Sequence, residues 1–145
     1  MTLYTFLTHV RALTAAAYTD QPGSPCRWIC TNISVAASEA AAQGDFDALD
    51  HAEAVHKHVA NQLADLGHGF ATSAACQVMG VNARAAESPG HPLYAPLYAG
   101  NRPLARDIRL LWLDQMIFNV ERALPLPPFP SQADLAPLFQ PYLET

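Results

Sequence analysis

The sequence predicts an all-α protein, a single-domain helical bundle of about five main helices plus a short C-terminal helix. Three observations carry that expectation. Apolar residues recur at steps of three and four along most of the chain, the spacing that gathers them on one face of a helix. The stretches that show this are separated by glycine and proline, often beside a serine, threonine or aspartate able to cap a helix. The 145 residues, half of them hydrophobic and 14% charged, suffice to close one core without disulfide or metal staples.

The first helix opens at Thr2 and carries its stripe on Leu3, Phe6, Leu7, Val10, Leu13 and Ala17. After the break "DQPG", Ser24 as cap and Pro25 at the first helical position start a second helix that runs to Gln43 and stops at Gly44. Its stripe is Cys26, Ile29, Cys30, Ile33, Ala37 and Ala40, and its many small residues let a neighbouring helix come close. Asp45 is placed to cap a third helix ending at "LGHG", where Gly67 takes the left-handed conformation. A fourth spans about Gly69 to Glu87, with Gly80 a weak point inside it.

Residues 89–103, "PGHPLYAPLYAGNRP", form a Pro/Tyr-rich connector in which PLYA occurs twice. The fifth helix, Pro103 to about Leu124, is apolar on two sides and so belongs at the centre of the bundle. "PLPPFP" ends it, and Ser131 with Asp134 makes a capping box for a terminal helix that Pro137 and Pro141 keep short. The domain reading is a helical bundle over 1–124, with 125–145 packed on the same domain.

Charge and composition exclude several roles. A net charge of −5, one lysine (Lys57) and no arginine run leave no basic patch for a phosphate backbone, so direct nucleic-acid binding is not expected. No stretch approaches the roughly 18 consecutive apolar residues of a membrane span. The first residues lack a basic leader and the cysteine count is odd, which predicts a cytoplasmic protein with reduced thiols, and the sequon at Asn32 then reads as chance.

The stretch "DALDHAEAVHKHVANQLADLGHG" concentrates His51, His56, His58 and His68 among Asp47, Asp50, Glu53 and Asp65. At 100° per residue, Ala48, Leu49, Ala52, Val55, Val59, Leu63 and Leu66 share one side, and His56 falls among them as a core histidine. Asp47, His51 and His58 lie on the opposite side. They define the alternative reading, a metal-binding bundle holding zinc or another divalent transition metal, although His51 and His58 stand roughly 10.5 Å apart along the axis. Glu53 and His56 supply a single Glu-x-x-His, where dimetal bundles use two. Cys26 and Cys30 are spaced CxxxC on an apolar stripe, which suits buried hydrophobes better than a redox pair. No phosphate loop, GxSxG elbow or HExxH is present.

The leading functional expectation is a non-catalytic protein–protein interaction module, a small regulator or inhibitor that binds another protein and needs no cofactor. Two features point to its surface. The doubled PLYA presents Leu93, Tyr94, Leu97 and Tyr98 on a proline-ordered segment, the residue types that anchor interfaces. Asp107, Asp114 and Glu121 repeat every seven residues as an acidic stripe on the fifth helix. The apolar composition also permits a homodimer. "RALPLPP", Arg122 to Pro128, matches a polyproline-ligand pattern, but Arg122 belongs to the helix before it.

Overall fold

The computed structural model describes residues 1–17 and 29–143, so the predicted helix start at Ser24 and Pro25, and with it Cys26, lies outside the described residues. Eight helices and no strands are found among them: α1 (Leu3–Ala17), α2 (Ile29–Ala42), α3 (Asp47–Asp65), α4 (Ala71–Val78), α5 (Ala83–Ala86), α6 (Tyr94–Tyr98), α7 (Pro103–Glu121) and α8 (Gln132–Leu143).

The first stripe packs as read. Phe6, Leu7 and Val10 are fully buried, and the Thr5 amide donates to Thr2 Oγ1 at 3.1 Å to cap α1. In α2 the buried set is Ile29, Ile33, Ala36, Ala37 and Ala40, and Gly44, at φ +86°, closes the turn behind it. α2 lies against both α1 and α3, and its alanines leave room for that approach. Asp45 does not cap α3. Phe46 is the cap residue, and the Asp45 carboxylate instead accepts from the Met1 amine at 2.8 Å, tying the chain start to the α2–α3 turn.

The predicted fourth helix is two short ones. Gly80 adopts φ +73°, which no right-handed helix can contain, and Asn82 then caps α5 by accepting from the amides of Arg84 and Ala85 at 3.0 and 3.2 Å. The connector folds into α6. α7 begins with Pro103 at its first position and buries Leu104, Ile108, Trp112, Leu113 and Met116, so it is the central helix. The Ser131–Asp134 capping box forms reciprocally at 3.2 and 3.3 Å. The helix it opens, α8, runs 12 residues with Pro137 and Pro141 inside. Both prolines are exposed, while Leu135 and Phe139 are fully buried, and that packing outweighs the lost amides.

α7 packs on α1, α1 on α2, and α2 on α3, whereas α3 and α7 meet sparsely. Residues 125–130 fill that seam as an extended strap. His58 on α3 and Trp112 on α7 both donate to the Pro127 carbonyl, at 2.6 and 3.4 Å. The Phe129 amide donates to Gln62 Oε1 at 3.1 Å, and its ring stands edge-on to Trp112 with centroids 5.0 Å apart. Among the described residues, no helix is long and apolar enough to cross a membrane.

Candidate functional site

The histidine-rich helix is turned differently from its predicted register. His56 is exposed, as is Leu49 at 48%, while His51 and His58 are half-buried on the opposite border. His51 donates to the Met1 carbonyl at 3.0 Å and packs near Phe6, and His58 donates to the strap. These imidazoles therefore fasten distant backbone to α3. The structure does not bring Asp47, His51 and His58 together, and among the described residues no three His, Cys, Asp or Glu side chains converge to hold a metal ion. His9 bonds Glu39 at 2.7 Å, His68 bonds Gln77, and His91 Nδ1 accepts from the Leu93 amide at 3.1 Å.

The doubled PLYA is divided between core and surface. Leu93 and Leu97 are 0% and 2% exposed, so they belong to the core and not to a free contact face. Tyr94 and Tyr98 lie side by side, centroids 6.3 Å apart, both half-buried. The periodicity of a five-residue helix, Tyr94–Tyr98, turns the leucines inward. The acidic stripe is on α7 as expected, but each member has a basic neighbour: Asp107 meets Arg106 at 3.2 Å and Glu121 meets Arg122 at 4.0 Å. Asp114 receives Arg11 from α1, through Nε and through Nη2 at 3.3 Å, and this carboxylate keeps Arg11 protonated beyond its ordinary range. All three pairs are exposed or half-exposed and add little to stability.

Of the candidate surface residues named in the sequence, Asp114 lines a cleft. Between the second half of α7, the strap and the start of α8 lies a cleft of about 450 Å³. Its apolar surface comes from Phe118, Pro127, Pro128 and Phe129, and its rim from Asp114, Gln115, Asn119, Ser131 and Asp134. Phe118 is 54% exposed, one of several large hydrophobics left open, and it is the one that lines this cleft. Arg122 lies over its ring, 3.4 Å from the centroid, and donates Nη1 to the Phe118 carbonyl at 2.9 Å. Asp134 is held below the usual carboxylate range by the Ser131 hydroxyl and amide and by Gln115 Nε2 at 3.1 Å, so it stays ionised. With Arg11 on Asp114 and Arg122 over one side of Phe118, the open part of this face is the Asp134 carboxylate, the rest of the ring and two prolines, which suits a partly apolar ligand carrying a cation.

Sequence reasoning missed a second polar set, inside the bundle. Arg109 is 3% exposed and donates Nη1 to Thr72 Oγ1 at 3.0 Å and to the Ala105 carbonyl at 2.8 Å. Its charge reaches Cys30 and Tyr98. Between α2 and α1, fully buried Asn32 donates to Thr14 Oγ1 at 2.8 Å, and Thr14 donates to the Val10 carbonyl at 2.8 Å. The signal for Arg109 was its place between Ile108 and Trp112 on the innermost helix, where a cation needs partners.

Fold and cleft together define an all-helical domain with an acidic-rimmed aromatic groove. Compared with known proteins, the chain matches no family model, and neither the curated proteins nor the solved structures contain a significant match.

Proposed function

We propose that the protein is a non-catalytic interaction module that binds another protein through the α7–strap cleft, engaging a segment that combines a lysine or arginine with a large apolar side chain. The observation that carries this reading is Phe118, a phenylalanine left more than half exposed within a preformed groove whose two carboxylates add to a net charge of −5. Aromatic anchors with a polar rim are where binding energy concentrates. The Asp134 carboxylate is already oriented by Gln115 and the Ser131 amide, so a cationic partner group meets a fixed acceptor there, while Asp114 already holds Arg11.

The test is photo-crosslinking from a photoreactive residue at position 118, with position 56 on exposed α3 as the control, followed by titration of the purified partner. A partner labelled from 118 and not from 56, whose affinity falls about 30-fold or more with Phe118→Ala, supports the reading. Equal labelling from both positions, or unchanged affinity in Phe118→Ala, sets it aside.

A further inference from the structure

We propose that the strap and α8 are exchanged between two copies of the chain, so that residues 125–143 of one copy fill the seam between α3 and α7 of the other. The first ground is how the strap is held. His58 and Trp112 donate to the Pro127 carbonyl, and Gln62 accepts from the Phe129 amide. Each of these bonds joins strap backbone to a side chain of the body. A strap arriving from a second copy makes the same bonds, so the seam does not distinguish its own strap from another's.

The second ground is the hinge. α7 ends at Glu121, and the chain turns back through Ala123 at φ +56°. The amides of Ala123 and Leu124 bond the carbonyls of Val120 and Asn119 at 3.1 and 2.9 Å, a helix-ending turn whose left-handed position glycine normally takes. Alanine there is strained. Glu121, Arg122 and Ala123 are good helix formers, and the sequence pattern continues α7 to about Leu124. In the exchanged form α7 runs on through Ala123, the left-handed residue disappears, and Pro125 sets the new stop. Short strained hinges are where such exchange arises.

The third ground is exposure. Residues 121–125 are all exposed, and Leu124, 50% exposed, and Phe118 flank the turn. A twofold axis that sets two extended hinges side by side covers Leu124.

The experiment co-refolds unlabelled and ¹⁵N-labelled full-length chains at high concentration, each with a photoreactive residue at Leu126, and follows light scattering behind size exclusion. A dimer whose strap-to-α3 and strap-to-α7 crosslinks join peptides of different isotopic origin is the expected result. Ala123→Gly relaxes the closed turn at both hinges and raises the dimer's dissociation constant about tenfold or more. A monomer at every concentration, a dimer crosslinked only within single chains, or an unchanged dissociation constant in Ala123→Gly overturns the proposal.

Discussion

The hydroxyl of Tyr98 is buried without a hydrogen-bond partner among the described residues, whereas the buried Leu93 and Leu97 carry no polar side-chain atom to satisfy. Burial pushes its pKa up to about 12, with Cys76 and Glu87 adding to the rise and Arg109 opposing it. Burial likewise takes Cys76 up to about 11. Both groups hold their protons more tightly folded than unfolded. Their contribution to stability is therefore complete well below pH 9, where neither state ionises, and is lost as pH climbs through 9 towards 12, Cys76 first and Tyr98 after it. Replacing Tyr98 with phenylalanine removes the unsatisfied hydroxyl and keeps the ring. The expected gain is about 1 kcal/mol at pH 7, or about 2–4 °C in Tm. Between pH 10 and 12 the variant should also lose stability less steeply than the wild type. Thermal melts at pH 7 and pH 10.5 check both halves, and a lower Tm at pH 7 would show that the hydroxyl has a partner in solution.

At the scale of helices, α3 makes its own prediction. His58 donates to a strap carbonyl 69 residues away in the chain and stands near Trp112, His51 holds the Met1 carbonyl, and His56 faces solvent. In urea unfolding, His58→Ala should cost about 1–2 kcal/mol, His51→Ala less because it anchors only the chain start, and His56→Ala within about 0.5. The sequence pattern alone implied the reverse order. Periodicity located the apolar stripe at Ala48, Val55, Val59 and Leu63 correctly, but could not tell which border is covered, because the cover arrives from segments remote in sequence. The same division runs through the chain. Where short-range signals decide, as in the Thr2 cap, the Ser131–Asp134 box and Gly44, structure follows sequence, and α7 is central as its apolar content implied. Where tertiary packing decides, it departs. α8 persists across two prolines because Leu135 and Phe139 are buried, α6 forms because Leu93 and Leu97 need cover, and Asp45 turns from a cap to an ion pair. Asp114, Ser131, Asp134 and the PLPPFP stretch stood out in the sequence, but as stripe, cap and helix stop and not as walls of one cleft. Phe118 read as one more apolar position, since nothing local shows that the strap leaves it open.

On the scale of the molecule, α1, α2, α3 and α7 do not close a ring by themselves, and the strap supplies the missing contact between α3 and α7. Phe129 is its wedge, 7% exposed and edge-on to fully buried Trp112. Truncating such a side chain costs about 3–5 kcal/mol, against a total of about 5–15 for a domain of ordinary stability. The loss should not spread evenly. α1 packs on α2 and on α7 away from the strap, whereas the part of α3 around His58 and Gln62 bonds the strap directly and α8 follows it in the chain. Phe129→Ala should therefore open α8 and residues 58–63 while α1 and α2 stay closed, as a separate cooperative unit of lower stability. Native-state hydrogen exchange resolves this. Protection should fall by several orders of magnitude in α8 and the second half of α3 and change little in α1 and α2, since each 1.4 kcal/mol is about tenfold in the opening equilibrium. A uniform fall across all four long helices would mean that strap and bundle unfold as one, and that the seam is as integral to the core as any helix pair.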